Sequence, residues 1–503
     1  MNKKLSLRIL AFTLAALTAV PMLASCGDDK DDNAGDAVTT TVKSGSDVEE
    51  ENADAEVESL SGDNDFGGAK VRILGIEGGS WWYGSMGDGA NEIWFENADS
   101  DVLQRAVYER NRKTQNLINI EIEPVWASDS NVVTDRLNQD VAAGVDDYDM
   151  ALDCLGDAMG VAQNRNLINF NSLDSFDATH SWWNERFVDE CTIYGETLYA
   201  VAGAINILDD CANNVIIFNK DLLEKYNCDD PYQLVFDGEW TVDAFMKSAK
   251  AVTQDLNGDQ EFDGNDSWGI GTYGNGLLVG LAGLDSPIAR MSDDGIPEIT
   301  CGTELAIDKA KYWFDNVTNS DCLYNEGICG EESFQQLFEE GQIGFALTNL
   351  THTFTLRNME DEYGILPLAK YNADQQEYTS SANTAFFTVF VIPKSCKEPE
   401  MVATTLEVMG GYAVGTVDAS LHDIVFESKL TRDAESRRVL KICQETVSFD
   451  WADIGGWARV GGTGLTSSFA GQRMGASFTL ASALASQIDS AQESLNEMID
   501  AFE

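Results

Sequence analysis

Apolar residues recur along this chain with two periods, and their alternation gives a first reading of the fold. Ala69-Lys70-Val71-Arg72-Ile73-Leu74 alternates as a strand does, with a period of two. The folded part is therefore expected to begin near Phe66, with a strand around Val71–Ile76. Apolar spacing then predicts a helix near Val102–Gln115, a strand over Ile118–Pro124 and a helix around Val132–Ala143. Tyr148-Asp149-Met150-Ala151-Leu152-Asp153 reads as the next strand. Such alternation favours an α/β sheet with ligands at the carboxyl ends of the strands.

The pattern before residue 66 is different. Lys3, Lys4 and Arg8 precede an apolar run, Ile9 to Val20, and then Leu23-Ala24-Ser25-Cys26. A basic start, a short apolar core and small residues at a cut site make a secretory signal. The run is too short to span a bilayer, which takes about 20 residues. The cysteine at the cut resembles a bacterial lipobox. The resemblance implies a signal peptide over 1–25, a lipid on Cys26, and a mature protein held on the extracellular face of the cell membrane. Residues 26–65 are rich in Asp, Glu, Ser, Thr, Gly and Ala, too poor in large apolar side chains to offset the entropy of ordering them. They are expected to form a disordered acidic linker.

Composition narrows the partners. The formal net charge is −53. A surface this acidic repels phosphate backbones, which argues against nucleic-acid binding. Beyond Cys26 nine cysteines remain, and no pair has zinc-ligand spacing. Cys322 and Cys329 are close enough in sequence to close a small loop, but free thiols are an equal alternative. With three histidines, none in a His-Glu-x-x-His pattern, a zinc hydrolase is not expected. The chain lacks a Gly-x-Ser-x-Gly elbow, a phosphate-cradling Gly-Lys-Ser/Thr loop and a dinucleotide fingerprint. No organic cofactor and no enzymatic activity are expected.

From residue 66 onward the chain resembles bacterial extracellular solute-binding proteins of family 1 type, the lipoprotein receptors of ABC importers. The resemblance rests on several pieces in order. Tyr148-Asp149 precedes an apolar strand. Trp182-Trp183-Asn184 is followed by Gly195-Glu196-Thr197-Leu198-Tyr199-Ala200-Val201. Val215-Ile216-Ile217-Phe218-Asn219-Lys220 leads to Asp230-Pro231-Tyr232 and Gly238-Glu239-Trp240-Thr241. Phe338-Glu339-Glu340-Gly341-Gln342-Ile343-Gly344-Phe345 precedes Gly364-Ile365-Leu366-Pro367 with Lys370, and Arg432-Asp433-Ala434-Glu435-Ser436 follows. Ala369 stands where the family pattern has a second proline.

The resemblance implies a two-lobed, type II periplasmic-binding-protein fold of α/β class, with crossovers near Ala204–Asn213 and Asn383–Val391. One lobe is expected to comprise 66–208 with 385–450, the other 209–384 with 451–503. It also implies a monomer that captures a small solute and hands it to an ABC permease.

The chain carries 11 tryptophans, several of them clustered. Aromatic faces stack on sugar C–H faces while amides and carboxylates grip hydroxyls, so an oligosaccharide is the expected solute. Trp183 and Trp240 read rather as core. The cleft is expected to gather Trp81, Trp82 and Tyr83 after the first strand. Asp153, Trp182 and Gly203 should approach the crossover, Asn349 and Thr351 should follow the Phe345 strand, and Tyr378 and Ser381 should precede the second hinge. A secreted enzyme acting on polysaccharide and a surface adhesin are the rival readings. Turnover of a glycan would support the first of these.

Asp255, Asn257, Asp259, Glu261 (through its carbonyl), Asp263 and Asp266 fall at positions 1, 3, 5, 7, 9 and 12 of an EF-hand-like loop. Gln260 replaces the usual Gly at position 6, and Asp266 replaces the longer Glu at position 12. A structural calcium ion is the expectation there; a solvated acidic turn is the alternative.

Overall fold

A computed structural model of the chain describes residues 53–60, 64–77, 92–98, 102–273, 276–324, 329–330, 332–422, 434–456 and 480–502. Thirteen strands are named among them. β1 (Ala69–Ile76), β2 (Ile120–Ala127) and β3 (Met150–Cys154) come first. β4 (Asn214–Asn219), β5 (Trp268–Thr272), β6 (Ala289–Met291), β7 (Pro297–Ile299) and β8 (Leu323–Tyr324) follow. β9 (Ile343–Asn349), β10 (Tyr363–Leu366), β11 (Ser380–Ser381), β12 (Thr388–Val391) and β13 (Val447–Ser448) complete the set.

Two sheets organise the fold. The first has the order β12-β3-β1-β2 and the second β10-β4-β9-β5-β8. β1 runs parallel to β2 from Ala69↔Ile120 to Ile76↔Ala127, and parallel to β3 at Ile73↔Met150. β12 closes that sheet antiparallel to β3, Val391 facing Ala151. In the second sheet β9 is parallel to β5 and antiparallel to β4. Every residue of β3, β4, β5 and β9 is buried. Strands covered on both faces lose the polar alternation of a half-exposed strand, which is why these runs read as continuously apolar.

Polar side chains set the helix ends. Asp129 accepts from the Val132 amide ahead of helix Ser130–Ala143, and Gly144, at φ 68°, ends it. Asn219, the last residue of β4, turns the chain straight into helix Lys220–Lys225 by accepting from the Leu222 amide. Each cap of this type contributes about 1 kcal/mol.

The two crossovers run side by side. Val201 bridges Phe390, Asn213 bridges Ala382, and the Asn383 amide donates to the Ala212 carbonyl at 3.0 Å. A buried carboxylate ties them together. Glu92 Oε1 accepts from the amides of Ile207 (2.6 Å) and Leu208 (3.1 Å) on the first crossover, and from Thr388 Oγ1 (2.8 Å) on the second. Arg110, wholly buried, donates to the carbonyls of Ile205 and Glu92. Burial pushes its guanidinium down to about 9.

Two boundaries differ from the sequence reading. Residues 53–60 are helical and packed on the first lobe, so the acidic segment does not run unstructured to residue 65. Val57 is fully buried, with Gly411 leaving the room it occupies, and Asp54 pairs with Lys113 at 3.1 Å. Two apolar residues, Ala53 and Val57, on one helical face are enough to dock a single short turn-pair where glycine has opened a groove. At the other end, helix Ala434–Glu445 packs on the second sheet rather than the first. Ser436 Oγ lies 2.7 Å from Tyr232 Oη, and Arg438 covers the Phe236 ring at 4.0 Å. The segment from residue 450 onward serves both lobes. Gly455 O accepts from Gln163 Nε2 of the first, and Asp450 accepts from the Ile288 amide of the second.

A candidate ligand cavity between the strand ends

The carboxyl ends of β3, β5 and β9 converge on the second crossover, and a cavity of about 400 Å³ opens there. Its polar side is built from the crossovers. Asn214, the first residue of β4, donates through Nδ2 to Ser381 Oγ at 3.0 Å. Its Oδ1 is buried in the cavity wall without a protein partner. Tyr273 follows β5, and its hydroxyl bonds to the side chains of Asn383 and Asn349; burial nevertheless pushes it up to about 12. Thr384 donates its hydroxyl to Asp453, while its carbonyl accepts from the Gly156 amide at 3.2 Å. Cys154, at the end of β3, donates its thiol to the Ala385 carbonyl at 3.2 Å.

Part of the cavity lining is apolar: Leu278, Val279, Leu281 and Ala282 of helix Gly276–Gly283, with Pro287, Ile288 and Phe386. Asp450 also lines it, but both carboxylate oxygens are taken by the amides of Ile288, Ala289 and Ala452. Burial raises this carboxyl to about 6. Among the described residues no Lys, Arg or His lines the cavity. An anion buried there would lack a compensating charge; hydroxyls would find amide and hydroxyl partners beside an apolar face.

Of the residues expected in the cleft, Ser381 lines this cavity. Asn349 ends β9, bonds to the Tyr273 hydroxyl and caps the following 3₁₀ helix through the Thr351 amide at 3.1 Å, and neither Asn349 nor Thr351 lines the cavity. Asp153 is buried against Thr134, whose hydroxyl donates to it at 2.9 Å. Three expectations are corrected. Trp182 is 1% exposed and packs against Gly410, with its Nε1 on Glu407 at 3.0 Å; it is core. Gly203, at φ 153°, is held where a Cβ would lie 2.2 Å from the Trp182 carbonyl, so it serves close backbone packing. Tyr378 is buried under helix Pro231–Phe236, its hydroxyl donating to the Val235 carbonyl at 3.1 Å. Trp81, Trp82, Tyr83 and Cys26 lie outside the described residues. Trp183 and Trp240 are core, with Nε1 donated to Glu407 and to the Pro367 carbonyl.

The sequence reading missed Asn214, Asn383 and Thr384. The available signal was polar residues beside apolar strands at the crossovers, Asn213-Asn214 at the start of β4 and Asn383-Thr384 ahead of β12.

The acidic loop has much of the expected shape. Asp255 accepts from the amides of Gly258 and Gln260, Asn257 from Asp259, and Asp259 from Glu261. Gln260 takes the left-handed conformation, φ 68°, that glycine supplies at position 6 of an EF-hand loop. Asp266 departs from that pattern: it is fully buried, and its two oxygens accept from the amides of Leu256 and Asp263. A cation would need position 12 to turn from those amides, so the donor set fits calcium at the early positions only. All nine cysteines after Cys26 are free, Cys322 and Cys329 included. Among the described residues no helix is long and apolar enough to cross a membrane.

This architecture is the two-lobed type II binding-protein fold, with mixed sheets joined by paired crossovers. No family model matches the chain, and no curated protein matches it. Solved structures do. An ABC substrate-binding protein from Listeria monocytogenes, in complex with cycloalternan, shares 14% identity at a TM-score of 0.56, over 85% of this chain and 99% of the other. A cyclo/maltodextrin-binding protein complexed with maltotetraose gives 14% and 0.55, over 86% and 97%. The GacH receptor of Streptomyces glaucescens, solved with acarbose, gives 12% and 0.54, over 85% and 99%. These neighbours are binding proteins rather than enzymes.

Proposed function

We propose that this chain is an extracellular, lipid-anchored solute-binding protein that captures a neutral oligosaccharide by hinge closure and delivers it to an ABC permease. The observation that carries the reading is the cavity itself. It sits between the strand ends of two lobes, pairs an apolar wall with Asn214, Ser381, Asn383 and Thr384, and has no cation among its described lining residues. Hydroxyl-rich, uncharged solutes match that chemistry. The sugar ligands of the structural neighbours agree with it.

The test is a thermal-shift and calorimetric screen of mono- and oligosaccharides, uronic acids, amino acids and peptides. A ligand at 100 times its dissociation constant stabilises by about 2.7 kcal/mol. Saturable binding of a neutral sugar without turnover is the expected result. Hydrolysis of a glycan by purified protein would overturn it in favour of the secreted-enzyme reading.

Two further parts of the proposal have their own tests. Anchoring through Cys26 requires that Cys26→Ala release the protein or leave its precursor uncut. Calcium at Asp255, Asn257, Asp259, Glu261 and Asp263 requires that chelation lower the melting temperature and that Asp259→Ala remove that sensitivity.

A further inference from the structure

A second polar cluster lies away from the cavity, where the first crossover meets the long helix of the first lobe. Helix Pro399–Ala413 continues through a five-residue π turn, Val414–Asp418, and on to residue 422. Such π insertions change which face of a helix its side chains present and recur at functional positions. Here Asp418 and His422 face the short crossover helix Leu208–Cys211, which carries Asp210. His422 Nε2 is 3.3 Å from Asp418 Oδ1, and one ligand atom from each of Asp210, Asp418 and His422 lies within 4.8 Å of the others. A small cavity of about 10 Å³ opens beside Asp210 and His422, room for one water-sized group. Leu350, Leu440 and Gln444 of the second lobe close its far side.

A further carboxylate adjoins the cluster. Asp209 is buried next to the set, its own carboxylate accepting from the Asp210 amide at 2.8 Å. Among the described residues, two part-exposed carboxylates, Asp210 and Asp418, and one part-exposed imidazole, His422, thus stand beside the buried Asp209.

We infer that Asp210, Asp418 and His422 form a binding site for a first-row transition dication, with zinc as the best fit. An imidazole beside carboxylates selects such ions over calcium and magnesium, which take oxygen donors. With metal–ligand bonds of about 2.1 Å, the donors of a tetrahedral site stand roughly 3.4 Å apart. The three donor atoms lie within 4.8 Å of one another, and the Asp418–His422 pair, at 3.3 Å, already has that spacing. Water would complete the fourth position. The ion would join the crossover to the first lobe at the floor of the hinge, a place distinct from the acidic loop at 255–266.

The experiment uses the full chain, stripped with chelator, dialysed and titrated with Zn²⁺ and then Co²⁺. One ion should bind, raise the melting temperature and give a cobalt spectrum without a thiolate charge-transfer band. His422→Ala and Asp418→Asn should each weaken binding by at least about 100-fold, the upper end of what losing a ligand's outer-shell support costs. Asp259→Ala should leave it unchanged. Absence of stoichiometric binding to the folded wild-type chain, a thiolate band, or full binding by His422→Ala would each overturn the inference. Should His422→Ala not fold, anomalous scattering from a zinc-loaded wild-type crystal decides: an ion at Asp210 upholds the site, and an ion elsewhere overturns it.

Discussion

The Asn214 amide reaches across from the second sheet to the Ser381 hydroxyl at 3.0 Å, which leaves its carbonyl oxygen buried in the cavity wall with no protein partner. The side chain is thus fixed in orientation at the edge of the cavity, where a bound solute would meet it. Asn214→Ala should weaken solute binding by roughly 5- to 150-fold, the equivalent of about 1–3 kcal/mol for a buried hydrogen-bonding group. Calorimetry with the identified solute checks this, and circular dichroism should show the variant folded. Unaltered affinity would place the solute elsewhere.

Glu92 holds three donors from the two crossovers on one oxygen. Glu92→Ala leaves buried amides at Ile207 and Leu208 unpaired, each costing about 1–3 kcal/mol. The urea midpoint should fall accordingly, and Glu92→Gln, which keeps an acceptor, should fall less. Equal losses in the two variants would show that the negative charge, not the acceptor geometry, matters.

His352 gives a pH dependence. Both ring nitrogens are buried without partners, between Phe334 and Phe338, and burial lowers its pKa from 6.5 to about 4. The folded state resists the proton that the unfolded state accepts. Stability is therefore untouched above pH 6.5 and falls as the pH drops from 6.5 towards 4, by up to about 3 kcal/mol. His352→Phe should flatten that slope. Denaturant midpoints at pH 7 and pH 4.5 provide the comparison.

Val57 tests the docked helix at 53–60. Val57→Asp puts a carboxylate into the groove beside Gly411 and should lower the melting temperature. Val57→Ala should cost about 1–2 kcal/mol through lost apolar burial. A variant of wild-type stability would mean that this helix contributes nothing to the fold.

How much could be read beforehand depended on how local the signal was. The first three strands lie close to where alternation placed them, because β1 and β2 pair along their full length and their apolar faces show in adjacent residues. The cavity was harder, since its wall joins residue 214 to residue 381 and a loop near 450. Trp182 illustrates the difficulty. The sequence reading put Trp183 in the core but Trp182 in the cleft, yet Glu407, more than 200 residues later, accepts from both indoles and from His180. A single buried carboxylate with several donors draws Trp182 into the interior beside Trp183, and nothing near residue 182 announces it. Burial pushes the Glu407 carboxyl up while those donors pull it down.

The helix at 53–60 is fastened to Lys113, His180 and Gly411 of the first lobe. Any pull exerted through the chain from its amino-terminal side therefore arrives at the first lobe. In a closing movement the first lobe would be the stator, and the second, joined to it through the paired crossovers and the segment around 450, would be the part that sweeps.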